Sequence, residues 1–449
     1  MQDSGKARAS GRRNADSKVR VIVNDAAAKR KTSSKEAESP KVLMFLSNAY
    51  DPDPRVRQEA LSLLDMGCDV RIVAWDRERK APEFQNMEGV AVERVFLTST
   101  HGRGNAQIVF YALLYLRMLW RGISTPFDVV HCHDLDTLPL GFLLGRLKRK
   151  PVIYDAHESF PDMLAGHVSP VVTRGLVGLE DFLIRRTELL ITVGEKLRRH
   201  FIERGARHCV VVGNWKRVEE YSGGEEKSGE IRKCLGIPSD AIVVVCVTQL
   251  LKDRKLEEFM EAVDGCPNVW AIIGGQGVLQ DAVKGWAKRN SRICYVGFVR
   301  TEEIPAYTCA ADIVYYGFDP ANPNARFSAP NKLFEALAAG RPLITGDFGE
   351  IADVVREASC GVVLPQYSVE EIRKGIETLQ DSKVRAGMAS NAKQFGRTFM
   401  NWQKGEEVLC EEYSKLLPFS ALRLAGSRGG VAKETGPACP GIAPKVGVQ

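Results

Sequence analysis

Short apolar runs rich in Val, Ile and Leu recur along this chain in two successive series, with helical periodicity between most of them. The first series falls at 42–46, 70–75, 90–96, 129–133, 152–154, 189–193 and 209–212. The second follows a polar stretch at 219–229 and falls at 242–247, 269–273, 293–296, 313–316, 343–345 and 362–364. Strands that alternate with helices build a parallel sheet. Two such series predict two doubly wound α/β domains facing across a cleft, with ligands at the carboxyl ends of the strands. A length of 449 residues gives each domain enough chain to bury its own core. Helical patterns at 368–380 and 402–416 close the chain, the last carrying Trp402 and Tyr413.

Composition narrows the class. Hydrophobic content of 44% and charged content of 26% are those of a soluble globular enzyme. The net charge of +6 is mild and sits largely in the first 40 residues, in runs such as Lys29-Arg-Lys31. Residues 1–39 read as a disordered basic tail, without the apolar centre of a signal peptide. Residues 420–449 are rich in Gly, Ala and Pro and read as a second disordered tail. A solvated tail is the expected role of these charges, and no nucleic-acid partner is expected. The 11 cysteines are scattered singly without a Cys-x-x-Cys, which fits reduced thiols in a cytoplasmic protein. No apolar run reaches the roughly 18–20 residues that span a bilayer.

The stretch Ser328-Ala-Pro-Asn-Lys-Leu-Phe-Glu-Ala-Leu-Ala-Ala-Gly-Arg-Pro-Leu-Ile-Thr-Gly-Asp347 predicts a helix and the strand after it. Ser328 or Ala329 is the expected cap, Pro330 suits the first turn, and Gly340 is a left-handed stop. Leu333, Phe334 and Leu337 form an apolar stripe; Asn331 and Glu335, four apart, lie on the other side. The helix therefore starts with open backbone donors and the Lys332 cation, and carries a carboxylate one turn in. A phosphate suits the donors and a ribose diol suits the carboxylate. An ordinary amphipathic helix with a solvated Glu335 is the plainer alternative.

Together with Asp53-Pro-Arg-Val-Arg-Gln-Glu-Ala60, His131-Cys-His-Asp-Leu-Asp-Thr-Leu-Pro-Leu-Gly141 and Tyr154-Asp-Ala-His-Glu158, this stretch resembles the retaining glycosyltransferases of family four, the glycosyl transferases group 1. The resemblance runs from about residue 41 to about residue 417. It implies the GT-B architecture: an acceptor-side Rossmann-like domain at 40–215, completed by a closing helix at 400–417, and a donor-binding Rossmann-like domain at 216–399. It implies that Glu335 grips the donor ribose. The family's first motif glutamate falls at Phe327, a departure. The resemblance places His157 beside the reacting carbon of the donor sugar. It assigns the clamping of the diphosphate to cations in Thr248-Gln-Leu-Leu-Lys-Asp-Arg-Lys255, where Arg254 matches, Lys252 is near, and Gln249 replaces an expected arginine. Clamping matters because negative charge grows on the leaving oxygen. The small residues of Gly274-Gly-Gln-Gly277 let backbone N–H groups such as that of Gly275 approach a ligand, and the resemblance implies that the loop through Val299 holds the base by its backbone. The resemblance also sets Asp134 on the acceptor side.

No cofactor is implied beyond the co-substrate, a UDP- or GDP-sugar. No metal is implied either. His131, Cys132, His133, Asp134 and Asp136 invite a zinc reading, but only alternate residues of a strand end point the same way, and a site needs partners from elsewhere in the chain. Asp134-Leu-Asp136 and Asp51-Pro-Asp53 imitate an Asp-x-Asp metal motif, yet Asp at a helix start is commonplace. The helix around 107–122 is apolar on more than one face, with Arg117 and Arg121 among its leucines. Core packing or dimerisation explains this, and so does peripheral contact with the inner face of a membrane beside a glycan or lipid-linked acceptor. The rival functions are a non-hydrolysing sugar-nucleotide epimerase and a nucleotide-sugar-binding member without turnover; Phe327 and Gln249 support the latter.

Overall fold

The computed structural model describes residues 39–51, 53–98, 106–165 and 168–417, so the two expected tails lie, apart from Ser39, outside the described residues. Eight strands, β1 (Lys41–Leu46), β2 (Asp69–Asp76), β3 (Phe84–Met87), β4 (Val90–Phe96), β5 (Val129–His133), β6 (Val152–Ala156), β7 (Leu189–Thr192) and β8 (Cys209–Val211), form one sheet. Its order is β3-β4-β2-β1-β5-β6-β7-β8, and every neighbouring pair is parallel except β3 with β4. A second sheet comprises β9 (Ile242–Val247), β10 (Val269–Gly274), β11 (Ile293–Tyr295), β12 (Ile313–Tyr316), β13 (Leu343–Gly346) and β14 (Gly361–Leu364). It is wholly parallel, in the order β11-β10-β9-β12-β13-β14.

Both sheets reverse their strand order around the first strand. β1 lies between β2 and β5, and β9 lies between β10 and β12. At such a switch the loops on the two sides diverge and leave a crevice at the carboxyl ends. The loops after β9 and β12 and the end of β6 contribute Thr248, Arg254, Phe318 and His157 to one cleft.

Three elements escaped the reading of apolar runs. β3 is an exposed antiparallel edge strand whose sequence, Phe-Gln-Asn-Met, buries almost nothing. The polar stretch at 219–229 is helical, in Val218–Ser222 and Gly224–Cys234, and packs on the short helix Ile304–Cys309. The last helix, Trp402–Leu416, returns to the first domain. Trp402 and Tyr413 are fully buried, and Trp402 Nε1 donates to Ser62 Oγ at 3.0 Å on the helix Pro54–Asp65. No described helix is long and apolar enough to cross a membrane.

Candidate functional site

The helix Asn331–Ala339 forms one wall of a cleft of about 2980 Å³. Pro330 is its N-cap, one residue later than expected, and no side chain caps its first amides. Gly340 ends it with φ 63°, as the sequence predicts. Leu333, Phe334 and Leu337 are buried, but so is Glu335, at 3% exposure, so the solvated-glutamate reading is excluded. The reason is tertiary: this helix packs on the helices Ser382–Thr398 and Val218–Ser222, which close around its remaining faces. The Glu335 carboxylate pairs with Lys332, and both line the cleft. Asn331 also lines it, and its Oδ1 accepts a 2.6 Å bond from Lys216 Nζ.

Lys216 was not anticipated. It lies just beyond β8 on the segment that crosses between the domains, and its carbonyl accepts the Trp402 N–H at 3.1 Å. Burial lowers its ammonium below the usual lysine range, against the pull of Glu335. Its only sequence signal was its place at the expected domain boundary.

Arg254 ends the 3-10 turn Lys252–Arg254 after β9. Its guanidinium donates to the Tyr316 hydroxyl at 2.9 Å and lies 4.5 Å from the centre of the Phe318 ring. It therefore faces the cleft on an aromatic shelf. Lys252 is exposed and, like Gln249, does not line the cleft. Gly275 is also outside the lining. A Cβ there would sit 1.8 Å from the Thr248 carbonyl oxygen, and φ is +134°, so the glycine serves the close approach of two loops. Val299 is buried against Gly274, and its neighbour Phe298 lines the cleft instead.

Phe327, at the departed motif position, is nearly buried and lies 4.6 Å from the His200 ring of the opposite domain, centre to centre. An aromatic contact between domains thus occupies the place where a carboxylate was expected. Nearby, Asn324 donates to Glu158 at 2.6 Å, Arg326 to Asp162 at 2.7 Å, and Asn214 to the Ala329 carbonyl at 3.2 Å, each across the domain boundary. Glu350 accepts the N–H groups of Glu195 and Lys196 at 3.0 and 2.9 Å and so caps the helix Glu195–Glu203, whose N-cap, Gly194, has no side chain to do so.

His157 follows β6 and lines the opposite wall. Its Nε2 lies 2.8 Å from Asp155 Oδ2 and its Nδ1 3.4 Å from Asp134 Oδ2. Asp134, with φ 62°, also accepts the His157 backbone N–H at 3.1 Å; it does not line the cleft but orients the histidine. Burial alone would lower the imidazole pKa, but Asp134 and Asp155 on either side hold it up at about 10. The two carboxylates thus favour the imidazolium form of His157. Behind it, Arg55 donates to both Asp155 oxygens at 3.0 and 2.6 Å and to the Val212 carbonyl at 2.7 Å. Burial holds His131 and His133 below the usual histidine range, hence neutral.

Two family models divide the chain between them. A glycosyl transferase 4-like domain matches residues 52–215 and the glycosyl transferases group 1 model matches 227–395. The chain belongs to the group 1 glycosyltransferases. Among curated relatives of this glycosyltransferase, the alpha-monoglucosyldiacylglycerol synthase of Acholeplasma laidlawii is 23% identical over 305 residues, 64% of this chain and 74% of that protein. Among solved structures, sucrose-phosphate synthase from Thermosynechococcus elongatus superposes with a TM-score of 0.69 at 14% identity, covering 85% of this chain and 100% of that one. Anabaena HepE in complex with UDP-glucose gives 0.62 at 18% identity, over 84% and 100%. Both structures carry the fold alone, and that fold is GT-B.

Proposed function

We infer that this glycosyltransferase moves a sugar from a UDP- or GDP-sugar to an acceptor hydroxyl with retention of anomeric configuration. The observation that carries the reading is the C-terminal wall of the cleft. There the uncapped start of Asn331–Ala339, Lys332 and Arg254 supply positive potential, and the buried Glu335 supplies a pair of acceptor oxygens. HepE, of the same fold, holds UDP-glucose. In this reading Glu335 takes the ribose, and Arg254 and Lys332 bear the diphosphate, with Lys216 and Asn331 beside them. His157 lies across the cleft as a fixed positive charge near the departing sugar. The cations replace a diphosphate-bound metal ion, so adding a chelator to the assay leaves the rate unchanged. Front-side attack needs no covalent intermediate, and the leaving phosphate takes the acceptor proton.

The test is a panel of UDP- and GDP-sugars, with donor binding followed by calorimetry and products by mass spectrometry and anomeric NMR. Transfer with retained configuration is expected. An epimerised donor without acceptor would establish the epimerase reading. Tight donor binding with no transfer across an acceptor panel would establish the non-catalytic one.

A surface observation favours a lipid-linked acceptor and peripheral contact with the inner face of a membrane. The helices Ala106–Ser124, Leu138–Lys148 and Pro170–Ile184 pack side by side and expose Leu113, Leu116, Trp120, Leu147 and Phe182 beside Arg117, Arg121, Arg146 and Arg186. Their only acidic residues, Glu180 and Asp181, are paired with Arg204. Leu114 and Met118 are core, so one helix is both packed inward and apolar outward.

A further inference from the structure

Behind the cleft, and outside its lining, four buried side chains from three separate elements converge. Glu59 comes from the helix Pro54–Asp65, His131 and His133 from β5, and Asp155 from β6. One ligand-type atom from each lies within 4.8 Å of those of the others. His131 and His133 alternate along a strand and so share a face, with ring centres 4.4 Å apart and planes 18° from parallel. The partner that the two histidines lacked in the sequence is therefore Glu59, about seventy residues earlier in the chain but adjacent once β1, β5 and β6 are paired.

The hydrogen-bond inventory of this cluster is uneven. His131 Nδ1 meets the Tyr413 hydroxyl at 2.7 Å, and His133 Nδ1 lies 3.1 Å from Asp155 Oδ2. Both Nε2 atoms and both Glu59 oxygens are buried without a hydrogen-bond partner among the described residues. Glu59 Oε1 has only the Arg55 guanidinium, at 3.2 Å, while Oε2 lies 3.7 Å from His131 Nε2. That separation is below the roughly 4.2 Å that two ligands about 2.1 Å from a shared ion can span. Tyr413 and Asp155 then stand where outer partners of metal-bound histidines stand, fixing which nitrogen turns inward. Arg55 is already committed to Asp155 and the Val212 carbonyl.

We propose that Glu59, His131 and His133, with a water as the fourth ligand, hold a divalent transition-metal ion, zinc by donor type, in a buried site beneath the cleft, with Asp155 and Tyr413 as its outer partners. Two imidazoles and a carboxylate suit zinc; magnesium and calcium call for oxygen throughout. The ion ties the first helix, β5 and the closing helix together and does not touch the diphosphate.

The test needs no sugar donor, so it is independent of the transfer reaction. The full chain, freed of any histidine tag, is assayed for metal by mass spectrometry, loaded with Co²⁺ for visible absorption, and melted with and without prolonged chelation. About one zinc per chain is expected, with four-coordinate cobalt bands and a melting temperature that falls on chelation. Glu59→Gln removes the site, and Tyr413→Phe weakens zinc binding by about 10–100-fold, with circular dichroism unchanged. Should Glu59→Gln fail to fold, Tyr413→Phe and the wild-type cobalt spectrum decide the matter. A metal-free chain whose melting temperature ignores added Zn²⁺ overturns the proposal, and a bridging water or proton then fills the cluster. Uptake that is unchanged in both variants also overturns it, as metal held by surface groups such as the exposed Cys234 thiol.

Discussion

The two walls of the cleft handle charge in opposite ways. On the N-terminal wall the ionic groups answer one another: Arg55 is bonded to Asp155, Asp155 to His157, and His157 to Asp134, with Arg55 and Asp155 buried and the other two half-buried. On the C-terminal wall Arg254, Lys332 and Glu335 all line the open space. A buried ion pair survives only if every member is matched, so the first wall is committed to holding the fold and one histidine in place. The second wall keeps partners that a ligand can displace or join. Damage to the first should appear as lost stability, and damage to the second as lost binding and turnover.

Arg55→Ala probes this contrast most severely. It leaves Asp155 and Glu59 buried without their guanidinium, and removing one partner of a buried pair typically costs about 3–5 kcal/mol. Urea unfolding should show that loss. A variant as stable as wild type would mean that the N-terminal network is not structural.

Arg254→Ala is the mirror experiment. Its melting temperature should match wild type, because the side chain rests on a cleft-facing shelf. Turnover should fall by about 10²–10³, the usual effect of removing one group aimed at growing negative charge. A rate within threefold of wild type would remove Arg254 from the diphosphate.

Glu335→Ala should weaken donor binding by about 1.5–3 kcal/mol, as expected for hydrogen bonds to a charged group. Calorimetry with the nucleoside diphosphate reads this directly. Unchanged affinity would break the donor-wall assignment. Lys332 loses its partner in this variant, so Lys332→Met with Glu335→Gln, made together, separates the ribose contact from the lost ion pair.

Leu113→Glu with Leu116→Glu should also cost little stability, because both side chains are about half exposed or more, at 48% and 62%. Unfolding free energy should shift by no more than about 0.5 kcal/mol per site. Sedimentation with anionic vesicles should nevertheless fall sharply. Retained vesicle binding would move the membrane contact elsewhere.

Some of this was legible before any coordinates. Every strand but β3 follows from an apolar run, and the donor helix follows from Pro330, its apolar stripe and Gly340. β3 was missed because an exposed edge strand has no apolar run to betray it. The glycines at 274–277 were noticed but read as ligand-facing, whereas Gly275 answers to the Thr248 carbonyl. His157 was placed at the cleft, while its lock between Asp134 and Asp155 depends on β5 lying beside β6.

The sequence by itself therefore determined most of the elements, their alternation and the family to which they belong. Helix stops, caps and burial periodicity are interactions among near neighbours, and a linear pattern contains them. Only the tertiary structure decided that Glu335 is buried, that Phe327 meets His200 across the domain boundary, that Lys216 reaches Asn331, and that Glu59 joins two histidines about seventy residues further on. Those pairings are set by the order of strands in the sheets and by the return of the last helix. No local spacing encodes which distant side chain will arrive to satisfy a buried charge.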